Sequence, residues 1–366
     1  MYFVKNLIEM VVERDIVAVS IPFSAGVATA AALSPGVGAH WWAAAACSIA
    51  LILAFTMFCR RGSGRIDAAA LFYIEGAFCW FTACAGVRTG NWLQAFAEGT
   101  RAAFSDLTAA CGFGDTATAP LLDALLAGDR SGLDREITET FRKAGASHIL
   151  ALSGLHLGVI YGIVRKALSV LGNSRAAAAA RSITICVCTG IYTIATGAAP
   201  STVRAFIFIC TNELAARLPG RKRDSVNVLL GALTIQLAAD PMQIRSVGFQ
   251  LSYLAIAGIM LLYPSLRSWY PGKGRRDPVR AIWNSAAMSI SCQVFTAPLV
   301  WWHFHSFPTS FLLTNLIALP LTELLITASV PCLALSAAGI CPEILKGLVD
   351  ILGKALRNSL YVISTM

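Results

Sequence analysis

Phe311-Leu-Leu-Thr-Asn-Leu-Ile-Ala-Leu-Pro-Leu-Thr-Glu-Leu-Leu-Ile-Thr-Ala-Ser-Val-Pro-Cys-Leu-Ala-Leu-Ser-Ala-Ala-Gly-Ile340 contains a single charged residue, Glu323. A run this apolar has no place on a soluble surface and is longer than the roughly 20 residues that cross a bilayer. It carries Pro320 and Pro331, so it is too long for one straight crossing. A broken helix and two segments both fit. The rest of the chain has the same character. Over 366 residues, 56% are hydrophobic and 13% charged, and mean hydropathy is +0.66. Soluble domains hold about 25% charged residues, so this composition excludes a soluble, fibrous or disordered protein. The chain reads as an all-α polytopic membrane protein.

Further apolar runs place spans near 16–35, 41–59, 68–87, 146–164, 182–197, 201–216, 225–239, 246–263 and 281–300, about ten transmembrane helices with the run above. No cleavable signal peptide is expected, because the first run is long enough to span and others follow it. Lysine and arginine then sort cleanly. Arg60, Arg61 and Arg65 follow the second span; Arg165, Lys166, Arg175 and Arg181 the fourth; Arg217, Arg221, Lys222 and Arg223 the sixth; Arg267, Lys273, Arg275, Arg276 and Arg280 the eighth. Simple alternation puts all these loops on one side, which the positive-inside rule makes cytoplasmic, together with the N-terminus. Topology thus accounts for most of the net charge of +9. Most of the eleven cysteines lie within apolar runs and act as small hydrophobes, not as a disulfide framework.

The long polar stretch 88–144 then faces outward. Trp92, Phe96, Phe104, Leu107 and Cys111 keep helical spacing. Pro120 suits the first turn of a short helix ending near Gly128. Ser131 to Asp134 resembles a capping box opening a helix with Leu133, Ile137 and Phe141 on one stripe, Gly145 ends it, and Ser147 can cap the next. These segments read as amphipathic helices on the outer membrane face. The tail, 341–366, has a similar pattern and is expected along the inner face. Four sections result: N-terminal transmembrane helices 1–87, outward amphipathic helices 88–144, a core 145–340 and a C-terminal amphipathic segment 341–366.

Ionisable groups inside a bilayer are costly and mark function or a buried pair. Arg204 cannot pair with Glu213 on its own helix, because nine residues put the two about half a turn out of phase; a partner on another helix, a carbonyl, water or a passing anion remain. Ser153 and His156, three apart, share a face if residues 146–164 form one helix, with His148 two turns earlier. Gly154 and Gly158 would let another helix approach closely. Interhelical hydrogen bonding and the lining of an aqueous path both fit this set. Gln250, Ser252 and Asn315 add neutral polar groups with the same two uses. His303-Phe-His305 lacks the downstream ligands of a metallo-hydrolase and sits among Trp301, Trp302 and Phe307, as at a membrane-edge aromatic belt. No metal site and no cofactor are expected.

Gly145-Ala-Ser-His148-Ile-Leu-Ala-Leu-Ser153-Gly154-Leu-His156 resembles the signature of the ComEC-type competence proteins, the DNA-internalisation channels of bacterial transformation. Ala199-Pro-Ser-Thr-Val-Arg204-Ala205 is similar to their Arg-Ala membrane motif. Asp240-Pro241 followed by Val247-Gly-Phe-Gln250-Leu-Ser252-Tyr-Leu-Ala resembles their Asp-Pro and Gly-Phe-Gln-Leu-Ser block. Pro298 through Asn315 and Pro320 resembles their closing pattern. The likeness covers about residues 120–335. It implies an inner-membrane channel for single-stranded DNA, with His148, Ser153, His156, Arg204, Gln250, Ser252 and Asn315 as its path and Gly145, Gly154, Asp240, Pro298 and Pro320 as structural motif residues. It implies as partners an extracytoplasmic DNA receptor, a cytoplasmic ATP-driven translocase and a separately encoded nuclease. Residues 88–118 are too short for the family's OB-type domain and no His-x-His-x-Asp-His pattern appears, so the chain resembles the channel core, and no enzymatic activity carries over. A transporter of another polyanion or lipid-linked substrate is a second reading, and an intramembrane serine hydrolase using Ser153 a third. About five phosphates would occupy a 30 Å hydrocarbon core, and one intramembrane arginine with two histidines supplies few charges for them.

Overall fold

The computed structural model describes residues 15–33, 40, 43–51, 65–84, 92–150, 153–172, 174–215, 225–270, 277–305, 310–340 and 342–365. Among them there is no strand; the protein is all-α. Three helical stretches are long and apolar enough to cross a membrane: Ala176–Ala195, Val247–Ser268 and Phe311–Ala337. Val17–Ala32 and Ser225–Ala239 are apolar but shorter. Of the expected span 41–59, residues 43–51 are described and helical, and the rest lies outside the described residues.

The chain divides into two compact units. The first, 1–90 with 207–250, holds α1 (Asp15–Ala32) and α2 (Arg65–Cys84). These two cross at glycines. A Cβ on Gly26 would lie 1.9 Å from the Tyr73 carbonyl oxygen, and one on Gly76 would lie 2.1 Å from that of Phe23. Each glycine thus lets the opposing backbone reach van der Waals contact, the small-residue packing that membrane helices use in place of a hydrophobic driving force. The Thr29 and Tyr73 hydroxyls, 2.6 Å apart, close the same crossing. A third helix of this unit, Ser225–Ala239, joins through Thr234 Oγ1, which donates to Ser20 Oγ at 2.7 Å. The Asp240 carboxylate then accepts the Met242 N–H and the Gln243 amide, turning the chain through Pro241–Arg245. Arg245 at the end of that turn lies 4.7 Å over the Trp80 ring and donates to the Ala31 carbonyl, so one side chain ties both α1 and α2.

The second unit, 91–206 with 251–366, contains an extended buried core, and the polar stretch supplies much of it. In chain order its elements are α3 (Trp92–Ala110), α4 (Thr118–Leu122), α5 (Arg135–Lys143), α6 (Ser147–Leu150), α7 (Gly154–Ala167), α8 (Arg175–Ala195) and α9 (Pro200–Ala215). After the helix Ser225–Ala239, here α10, come α11 (Val247–Leu261), α12 (Tyr263–Ser268), α13 (Pro278–Phe304), α14 (Phe311–Ala337) and α15 (Glu343–Ser364). The boundaries between the units fall inside α9 and α11. Leu121, Leu122, Leu125, Phe141, Ile149 and Leu150 are at most 2% exposed and pack with Leu325 and Ile326 of α14 and Val349, Leu356 and Leu360 of α15.

Several local expectations meet the structure directly. The helix at Pro120 continues through a wider π turn, Asp123–Ala127, and stops at Gly128 in the left-handed region (φ 73). Gly145 (φ 73) ends α5 the same way, a conformation glycine adopts without Cβ cost. Ser131 does not cap α5: its N–H donates to Asp129, and Asp134 occupies the N-cap position. Of the expected stripe, Cys111 is in the core and Phe104 and Leu107 pack against it, while Phe96 is exposed; Ala97 and Thr108 are buried as well. Thr108 and Ser105 both donate to the Asp123 carboxylate, at 2.7 and 3.3 Å. Burial raises the Asp123 carboxyl above its ordinary range in spite of those two hydrogen bonds.

Two larger expectations are corrected. The run 311–340 is neither broken nor split: α14 continues through Pro320 and Pro331. Ala318, Thr322, Ser329 and Cys332, close to the two prolines, are fully buried, so neighbouring elements pack along this stretch and hold it. The tail does not lie on the opposite face from 88–144. α15 shares the core above, its Asp350 accepts the Gly114 N–H and the Thr118 hydroxyl, and its Arg357 pairs with Asp115. Those short polar links put both segments on the same side.

Candidate functional site

The signature segment is not one helix. α6 ends at Leu150, residues 151–152 lie outside the described set, and Ser153 is extended (φ −123, ψ 163) before α7 starts at Gly154. Ser153 and His156 therefore meet as the two ends of a reciprocal capping box, not as neighbours on a helix face. His156 Nδ1 accepts the Ser153 N–H at 3.4 Å, which leaves the ring proton of a neutral imidazole on Nε2. His156 is 1% exposed. On the other side of the break, Arg130 Nε donates to the Leu150 carbonyl at 3.1 Å and satisfies an end that α6 leaves open. Ser153→Ala is expected to lower stability by about 1 kcal/mol, the usual worth of an N-cap, and detergent-phase unfolding curves of the purified variant would read it; an unchanged curve would deny the cap any weight.

Gly154 does the packing expected of it. A Cβ there would stand 3.2 Å from that of Ala205, so α7 begins against α9. Gly158 does not: nothing among the described residues lies within 4 Å of its Cβ position.

Arg204, next to that contact, is 6% exposed. Its guanidinium stands 5.3 Å from the centroid of the Tyr253 ring, and Nη1 is buried without a hydrogen-bond partner among the described residues. The bland expectation of an interhelical ion pair is replaced by an aromatic face, which offers a cation some attraction but no acceptor. A buried guanidinium donor left open in this way suits water or an anion. Tyr253 lies inside the quoted Gly-Phe-Gln-Leu-Ser block, yet sequence reasoning did not single it out, since an aromatic in a span usually reads as lipid contact.

His148 sits on α6 with Nδ1 3.1 Å from the Gly145 carbonyl and Asn315 of α14 beside its ring. Asn315 Oδ1 is buried without a partner among the described residues, as is Asn284 Oδ1 on α13. Ser252 is half-buried on α11. Gln250, in the first unit, donates to the Ile244 carbonyl at 2.7 Å and so braces the turn after Asp240. Of the predicted set, His148 meets Asn315 and Ser153 meets His156, while Arg204 meets Tyr253, which lies outside the set. Pro298 and Pro320 lie inside α13 and α14. Trp301, Trp302 and Phe304 are all more than half exposed, as at an aromatic belt, and His303 Nδ1 lies 3.1 Å from the Leu299 carbonyl.

Long apolar helices, a core built between them and polar groups held inside the bundle define the chain as an all-α membrane protein. It belongs to the Competence protein family, whose pattern matches residues 125–365. It is 27% identical over 200 residues to ComE operon protein 3 of Bacillus subtilis (strain 168), covering 55% of this chain and 24% of that one. It is 26% identical over 200 residues to the uncharacterized protein YcaI of Escherichia coli (strain K12), covering 53% and 26%. It is 28% identical over 261 residues to the competence protein ComA of Neisseria gonorrhoeae, covering 68% and 34%. The chain therefore spans between 24% and 34% of the length of these relatives. No solved structure matches it.

Proposed function

We propose that this chain is the membrane core through which single-stranded DNA enters the cell during natural transformation, at the bacterial inner membrane with a cytoplasmic N-terminus. The family assignment supports the setting, and Arg204 is the single observation that carries the reading. A guanidinium that keeps an open donor in a membrane interior, with an aromatic ring as its wall, suits a phosphodiester that must pass and leave: strong enough to replace part of its hydration, with no bidentate partner to trap it. Asn284 supplies a further unpaired polar atom on another helix. Ser153 and His156 are engaged in capping the break between α6 and α7, which supports a positioning role for them over a nucleophilic one. In this reading the core neither cuts nor drives the strand. A receptor outside, an ATP-driven translocase inside and a separately encoded nuclease complete the process.

The test is complementation of a deletion strain. At equal membrane abundance, Arg204→Ala is expected to lower transformation by external DNA at least about tenfold, as for loss of one charged contact of about 1.4 kcal/mol, and Arg204→Lys to restore part of it. Normal transformation by the alanine variant would remove Arg204 from the path, and with it the support for this reading.

A further inference from the structure

Away from Arg204, a cleft of about 370 Å³ opens where α7 ends and α8 begins, lined by Gly162, Arg165, Lys166, Ser169 and Arg181. Three of the five lining residues are cations and none is an acid. Holding like charges together costs free energy that a bound anion lowers. Arg165 is steadied on its own helix: its guanidinium lies 5.7 Å over the Tyr161 ring and hydrogen-bonds the Tyr161 hydroxyl.

The cleft has an apolar approach. Leu155, Gly158 and Gly162 lie three to four residues apart on α7 and are all exposed, on the face that reaches Arg165, Lys166 and Ser169. Nothing among the described residues lies within 4 Å of a Cβ built on Gly158 or Gly162. The result is an exposed face of leucine and glycine that leads to a cluster of positive charge. Val170, 88% exposed, extends the apolar surface beyond that end.

We infer that this cleft binds an anionic phospholipid, its headgroup phosphate among Arg165, Lys166 and Arg181 and an acyl chain along the glycine face of α7. An apolar face ending in cations is complementary to an amphiphile with a negative head, and basic pockets between membrane helices recur as sites for such headgroups. A second copy of the chain is the obvious rival, since Gly158 and Gly162 form a small-xxx-small face. A two-fold contact there would set one group of three cations against its duplicate, which disfavours it. A nucleic-acid strand fits less well, because the face offers no stacking ring: Tyr161 is already covered by Arg165. The inference does not rest on the DNA reading and stands or falls separately.

The full chain, purified in detergent, would be mixed with phosphatidylglycerol or with phosphatidylcholine of the same acyl chains, and retained lipid counted by native mass spectrometry. Phosphatidylglycerol should be retained preferentially. The triple variant Arg165→Gln, Lys166→Gln, Arg181→Gln should lower that retention about tenfold or more, on the scale of phosphate contacts made by basic side chains at a membrane surface. Gly158→Leu with Gly162→Leu should lower it too, with all three cations in place, and keeps the test open if the charge variant fails to fold. Equal retention of the two lipids, or unchanged retention in the folded charge variant, overturns the site. Displacement of phosphatidylglycerol by a single-stranded oligonucleotide at equal phosphate concentration also overturns it, in favour of a nucleic-acid site.

Discussion

Gly26→Val is expected to abolish the folded form of the first unit. At Gly26 the Tyr73 carbonyl oxygen would be 1.9 Å from the added Cβ, and at Gly76 the Phe23 oxygen would be 2.1 Å away. Both obstacles are backbone, so no rotamer change relieves them and the two helices must separate. Separation also strips the Thr29–Tyr73 hydrogen bond and the Arg245 clamp from their partners. Overpacking a tight contact costs up to about 3 kcal/mol even where side chains can shift, and a clash with backbone belongs at or beyond that limit. Gly76→Val should behave alike. Gly99→Ala is the control: nothing lies within 4 Å of its Cβ, it sits inside α3, and the change should be neutral or stabilising by up to about 1 kcal/mol. Thermal unfolding in detergent, followed by circular dichroism, separates these outcomes. A valine variant that melts with the parent would mean the helices do not cross so closely.

Arg357→Gln should give the second large effect, by releasing α15 from the segment that carries α4. Arg357 and Asp115 form an ion pair with side chains only 18% and 13% exposed, and two turns earlier Asp350 accepts from Gly114 N–H at 2.8 Å and Thr118 Oγ1 at 2.6 Å. Removing one member of such a pair leaves a charge part-buried and alone, and a loss of about 2 kcal/mol is expected. The pair also predicts a pH dependence. Partial burial opposes ionisation of Asp115, but the Ala117 N–H, the Arg357 hydrogen bond and charge and the Lys354 charge together lower its carboxyl below the ordinary range. A depressed folded pKa contributes stability that is complete above the unfolded value, about 4, and is lost as pH falls through the folded one. The wild type should therefore lose stability on acidification more steeply than Arg357→Gln. Asp123 works in the opposite sense, because a raised carboxyl contributes at low pH and loses that contribution as pH rises through its folded value; it is common to both proteins and cancels in the comparison. Parallel acid profiles would show that the pair has no net coupling.

Much of the helical layout was legible from hydropathy and punctuation. Pro120, Gly128 and Gly145 mark element ends in the sequence and do so in the structure, because proline fixes φ and lacks a donor while a left-handed turn favours glycine. In α5 Glu136 stands in the first turn and Arg142 and Lys143 in the last, the order that the helix dipole favours. Pro320 and Pro331 misled, because a proline breaks a helix in water far more readily than inside a bundle whose neighbours support the chain. The candidate site was legible as a set of residues and not as a geometry. The motif places Ser153 and His156 three apart, but whether they share a helix face or cap a helix start depends on Ser153 being extended, which no spacing reveals.

By itself the sequence determined the solvent this chain folds in. A charged fraction of 13% and runs like that from Phe311 can satisfy their backbone in a bilayer only as helices, so composition decided the class. Tertiary structure alone decided who meets whom: that Arg204 faces Tyr253, and that the tail closes on the polar stretch to build a shared core. Such pairings join residues as distant as Asp115 and Arg357. Hydropathy and motif spacing report the surroundings of a residue along the chain, and partners of this kind are chosen by packing across it.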